Sequence, residues 1–65
     1  MKNIEIYYTN GNVLSFNVYD VQIDDNRLYL ASPAPVGIAQ ILSLSIEYMT
    51  RILVDGIKIY IRREV

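Results

Sequence analysis

The sequence contains no cysteine, no histidine and no tryptophan. Without cysteine there is no disulfide and no thiolate nucleophile, and without either residue no Cys/His zinc site. Without histidine the usual general base at neutral pH is missing. A serine nucleophile would need a lysine as its base, but Lys2 and Lys58 stand in no Ser-x-x-Lys relation to any serine. Glycine is scarce as well. Gly11, Gly37 and Gly56 lie far apart, each where a turn wants one, so no glycine-rich loop can cradle a phosphate. These absences predict a protein that is not an enzyme and holds no cofactor and no metal. Asp20, Asp24, Asp25 and Asn26 form the one oxygen-rich cluster, but their spacing does not match a calcium loop, and Asp and Asn are ordinary turn residues.

Charge of one sign is also lacking. Six cations against seven carboxylates give a net charge of −1, which disfavours a general nucleic-acid binder. No stretch approaches the roughly 18 apolar residues of a membrane span. The start, Met1-Lys2-Asn3-Ile4-Glu5, carries charge where a secretory leader would need its apolar run. The expected location is the cytoplasm.

Apolar surface, by contrast, is abundant: 52% of the 65 residues are hydrophobic. A chain of this length is a single small domain spanning 1–65, and it buries only about 60% of the surface its unfolded form exposes. Part of that apolar surface is hard to hide within one subunit, so self-association into a homo-oligomer is expected.

The pattern along the chain is that of short strands. Ile4, Ile6 and Tyr8 share one parity, and Leu14, Phe16 and Val18 share the next. Between them Asn10-Gly11 suits the positive φ angles of a type I′ hairpin turn. At Tyr19-Asp20-Val21 the apolar parity switches from even to odd, which predicts a bulge or sharp bend. Asp24-Asp25-Asn26 reads as a turn, Arg27 to Ala31 as a strand, and Ser32-Pro33-Ala34-Pro35-Val36-Gly37 as a loop. Residues 38–54 carry two readings. At helical spacing Gln40, Ser43, Glu47, Thr50 and Arg51 fall in one polar arc; at strand spacing Leu42, Leu44, Ile46, Tyr48, Ile52 and Val54 share a parity. Isoleucine, valine, tyrosine and threonine favour strand. The preferred reading is a strand near 38–42, a turn around Ser43–Ile46, a strand over 47–54, and a tight hairpin at Asp55-Gly56. The expected fold is therefore all-β, a small SH3-like or Sm-like barrel or roll of five to seven short strands. The alternative is α+β, an antiparallel meander with one helix about 38–54.

In the final strand, Ile57, Ile59 and Ile61 share one parity while Lys58, Tyr60 and Arg62 hold the other. Alternation predicts buried isoleucines and an outward tyrosine flanked by cations. Tyr7 and Tyr29 are placed outward by the same rule, with Tyr8 and Tyr48 in the core. Tyr7, Tyr29, Tyr60, Lys58 and Arg62 are thus the candidate partner-binding residues, since tyrosine and arginine supply much of the contact energy at protein interfaces. The function expected is a protein-interaction module that binds or blocks a protein partner, a type common among phage and mobile-element products. One alternative is a single-stranded nucleic-acid binder using Tyr60, Lys58 and Arg62. Another is a structural homo-oligomer subunit built by strand-edge pairing.

Overall fold

Alternating apolar and polar side chains, punctuated by Asp, Asn and Gly, give seven strands among the described residues, in chain order. They are β1 Lys2–Tyr8, β2 Val13–Val18, β3 Asp20–Asp24, β4 Arg27–Ser32, β5 Gln40–Ser45, β6 Met49–Val54 and β7 Ile57–Ile61. The computed structural model describes residues 1–33 and 40–62. Of the loop expected over 32–37, Ser32 instead ends β4, and residues 34–37, like the first two residues of the strand expected over 38–42, lie outside the described residues. The helix alternative for 38–54 is overturned where it is described, because β5 and β6 occupy that stretch. The turn expected at Ser43–Ile46 falls later: Ser43 to Ser45 stay paired in β5, and the chain turns at Ile46, Glu47 and Tyr48.

The strands form two antiparallel sheets, one ordered β2-β1-β6-β7 and one ordered β3-β4-β5. Their apolar faces meet. Ile4 and Ile6 in β1 stand opposite Val54 and Ile52 in β6. In the second sheet Val21, Leu30 and Leu42 make one apolar row, and Ile23, Leu28 and Leu44 another. The buried core is Ile4, Ile6, Val18, Leu28, Leu30, Ile46, Met49 and Ile52, with no buried polar residue among those described. Such a core is held by apolar burial, worth roughly 1.5–3 kcal/mol per large side chain, and needs no internal polar network.

The connections follow from local chemistry. At Asp55-Gly56 both residues take positive φ, 51° and 80°, and close a two-residue hairpin of the type I′ kind. The first hairpin departs from expectation. Asn10 does not join Gly11 at positive φ; instead the Gly11 N–H donates to the Tyr8 carbonyl at 3.1 Å, and Gly11 alone is left-handed, at φ 89°. This is the longer loop in which an ordinary turn is followed by one left-handed residue. The parity switch at Tyr19 is where the chain leaves one sheet for the other, with the Tyr19 N–H bonded to the Ala31 carbonyl at 2.7 Å. Beside this corner Lys2 reaches Asp20 at 3.1 Å.

β7 corrects the reading of the final strand. Tyr60 pairs with Ile52 and Lys58 with Leu53, so one extra residue, Ile59, is inserted between them. This bulge puts Tyr60 on the core side, where it packs against the buried cluster. The three isoleucines expected inside are exposed, at 69% for Ile57, 43% for Ile59 and 58% for Ile61. Tyr48, also expected in the core, sits on the connection between the sheets and is 64% exposed.

Two outcomes follow. Leu28→Ala should lower unfolding free energy by about 2–5 kcal/mol, a large part of what a domain this size holds, while Tyr48→Ala should change it by less than about 0.5 kcal/mol; urea titration reads both. The Asp20 carboxyl lies below its ordinary value through the Lys2 hydrogen bond, then the Val21 N–H and the Lys2 charge. A depressed carboxylate contributes stability above its unfolded pKa that is lost as pH falls through its folded one. Lys2→Met should therefore raise the Asp20 pKa in an NMR titration and flatten the acid limb of the stability profile.

Candidate functional site

A seam follows from how the sheets are joined. On one side β2 runs through Tyr19 into β3, so the sheets share a corner. On the other side β5 and β7 are the free edges of their respective sheets and are not hydrogen-bonded to each other. The short Ile46-Glu47-Tyr48 connection holds the end of β5 near the start of β6, and the Ile46 N–H bonds to the Asn26 carbonyl at 3.0 Å.

The seam opens into a cleft of about 540 Å³ lined by Asn26, Ser45, Ile46, Glu47, Tyr60 and Arg62. The bulge at Ile59 is what turns the Tyr60 ring into it. Arg62 is fixed twice. Its N–H donates to the Thr50 carbonyl at 2.8 Å, and its guanidinium Nη1 donates to the Glu47 carbonyl. The cleft thus combines an aromatic wall, an arginine with donors to spare, the Glu47 carboxylate and the Asn26 amide. Exposed Ile57 and Ile59 continue it along β7. Such a lining suits a ligand with apolar side chains and amide groups, which is the chemistry of a polypeptide.

A second surface is the outer face of the first sheet. Pairing places Val13, Tyr7, Arg51 and Ile61 in one row across the four strands, and Ser15, Glu5, Leu53 and Lys58 in the next. The Arg51 guanidinium carbon lies 3.9 Å from the centre of the Tyr7 ring, a cation–π contact. Thr50, left unpaired by an irregularity in the β1–β6 ladder, donates its hydroxyl to the Tyr7 carbonyl at 3.1 Å. Tyr7 is thereby held against the sheet from both sides of its residue.

The five candidate residues are consequently split over three surfaces. Tyr60 and Arg62 meet in the cleft. Tyr7 and Lys58 lie on the outer face of the first sheet. Tyr29 stands apart on the outer face of the second sheet, between Gln22 and Ser43. Near it the Arg27 Nε donates to the Ser43 hydroxyl at 2.6 Å. The acidic cluster also disperses: Asp20 bonds to Lys2 and the Val21 N–H, while Asp25 takes the left-handed turn position at φ 52°. Residues absent from the sequence-based set are Asn26, Ser45 and Glu47 in the cleft and Arg51 against Tyr7. Arg51 becomes visible only once β1 and β6 are in register, and no local signal marks the others.

No protein-family model, no curated protein and no solved structure matches this chain.

Proposed function

We propose that the chain is a non-enzymatic protein-interaction module that holds an extended segment of a partner protein in the seam between β5 and β7. The observation that carries this reading is the cleft where Tyr60 and Arg62 face Asn26, Ser45 and Glu47 between two free strand edges. A free edge presents a row of main-chain donors and acceptors, and an incoming strand satisfies them while its alternate side chains enter the adjoining pocket. Exposed Ile57 and Ile59 would be covered by the same segment. We read the two sheets as the halves of an SH3-like or Sm-like roll, in which a strand laid along the seam completes the wall. A cytoplasmic setting fits this use.

The nucleic-acid reading draws less support. Tyr60 enters the cleft and Lys58 lies on the opposite face of the sheet, so the two do not build one stacking surface with Arg62. Among the described cations, Lys2, Arg27 and Arg62 are hydrogen-bonded within the protein and Arg51 is stacked on Tyr7. A backbone-tracking groove needs several cations turned to solvent together.

The reading is tested by selecting binders from a displayed library of random 12-residue peptides. Enriched peptides should be extended, with apolar residues at alternate positions. Their binding should shift the amide signals of Ile57–Arg62 and Gln40–Ser45, and Ile59→Lys should weaken it by about tenfold or more. Failure to enrich any peptide, or shifts confined to other strands, would contradict the proposal.

A further inference from the structure

The main chains of the two strand edges that flank the seam differ. The Ile46 N–H donates to the Asn26 carbonyl at 3.0 Å, which sets the phase of the β4–β5 ladder just beyond the Arg27–Ser45 pair. The two-residue hairpin between Asp24 and Arg27 gives the same phase, because it bonds Arg27 to β3 and so turns its main chain away from β5. Bonded and non-bonded pairs alternate along an antiparallel ladder. Leu42 and Leu44 therefore bond to Leu30 and Leu28, while the N–H and C=O groups of Ile41, Ser43 and Ser45 face away from β4 and into the seam. The Ser43 carbonyl accepts from Arg27 Nη2 at 3.2 Å and keeps a second lone pair. The rest of this row has no partner among the described residues.

β7 offers a poorer row. Ile57 bonds to Val54 across the Asp55-Gly56 hairpin, and the Arg62 N–H bonds to the Thr50 carbonyl at 2.8 Å. Lys58 and Ile61 are thus the residues whose main-chain groups turn away from β6, and the bulge at Ile59 sets them three apart rather than two. An incoming strand repeats every two residues, and a bulge beside a lysine is how sheet edges are blunted. β5 has neither device. Its six residues, Gln40–Ser45, pair with β4 without a break and include no charge, no proline and no glycine.

Resting on the seam reading above, we infer that the partner segment hydrogen-bonds to β5 and not to β7, adding a fourth strand to the three-stranded sheet. It meets β7 through side chains alone. An extended main chain supplies donors and acceptors at the two-residue spacing of Ile41, Ser43 and Ser45. The chemistry of the segment follows from this pairing. Its inner-side residues stand beside Leu42 and Leu44, which pack against the core, and next to the cleft that Tyr60 lines, so they are apolar. Its outer-side residues stand beside Ile41, Ser43 and Ser45, where polar side chains fit. Proline is excluded wherever the segment's own N–H must meet β5.

Amide hydrogen exchange read by NMR tests this, with a peptide enriched in the selection described above as the probe. In the free protein the Leu42 and Leu44 amides should exchange slowly and those of Ile41, Ser43 and Ser45 quickly. The peptide should slow the second set by about tenfold or more and leave the Lys58 and Ile61 amides within about threefold of their free rates. Two proline variants give an independent readout. At Ser43 and at Lys58 the ring removes an N–H that faces away from the neighbouring strand, a position that edge strands tolerate. Ser43→Pro should weaken peptide binding by about tenfold or more and Lys58→Pro by less than about threefold, with circular dichroism checking that each variant folds. Ser43→Ala loses the hydroxyl bonded to Arg27 but keeps the N–H, and should bind within about threefold of wild type. Protection appearing at Lys58 and Ile61 instead, with Lys58→Pro the damaging variant, would overturn the inference and leave the seam reading standing. Protection at both edges, or Ile41, Ser43 and Ser45 amides already slow in the free protein, would overturn it as well. If no peptide enriches, or one binds and neither edge gains protection, the seam reading falls and this inference with it.

Discussion

One inserted residue in β7 decides how the rest of the molecule meets its surroundings. Because Ile59 has no counterpart in β6, the strand changes face part-way along. Tyr60 joins Ile52 on the core side and Ile61 joins Arg51 on the outer side. Without the insertion the tyrosine would stand on the outer face and the isoleucines would line the core. The bulge lies at a sheet edge, where such irregularities re-aim side chains and limit further pairing. Here it furnishes the cleft with its aromatic wall and the outer face with an apolar end to its central row.

Chain length sets the second constraint. Among the described residues eight are buried, all of them apolar, with Tyr8, Phe16 and Tyr60 packed against them, and no buried polar residue fixes the relative register of the two sheets. The corner at Tyr19 and the short Ile46–Tyr48 connection do that work from the outside. They tie β2 to β3 and β5 to β6, whereas among the described residues β5 and β7 are not paired in a sheet. A domain this small cannot satisfy every edge and cover every apolar side chain by itself. Among the described residues the exposed apolar side chains are spread over β7 (Ile57, Ile59, Ile61), β2 (Val13, Leu14), Ile41 in β5, and Met1, Tyr19 and Tyr48. Under the function proposed above, a bound partner segment covers part of that surface.

Much of the architecture is written in the alternation of the chain. The inward sets Ile4/Ile6 and Leu28/Leu30 follow from period two, and the parity switch at Tyr19 marks the passage between sheets. Asp55-Gly56 announces its turn by composition. Parity fails where it is carried across an irregularity. Counting from Leu42 through Ile46 to Tyr48 predicts a buried tyrosine, but the turn at 46–48 resets the phase and leaves that ring in solvent. Ile57-Lys58-Ile59-Tyr60-Ile61 reads the same with or without a bulge, because the insertion is set by what β6 and the core accept. Of the candidate residues, Tyr60 and Arg62 do converge, for a reason that simple alternation does not contain. The contact of Arg51 with Tyr7 depends on strand register between residues far apart in the chain, which no local pattern encodes.

The register of β7 is therefore the claim on which both surfaces rest, and carbon-edited NOE spectroscopy of the methyl and aromatic protons tests it most directly. The account predicts contacts between the Tyr60 ring and the Ile52 side chain, with Ile61 methyls close to Arg51. Contacts of Ile59 and Ile61 with the core, and of the Tyr60 ring with Leu53 on the outer face, would mean an unbroken strand and would contradict it.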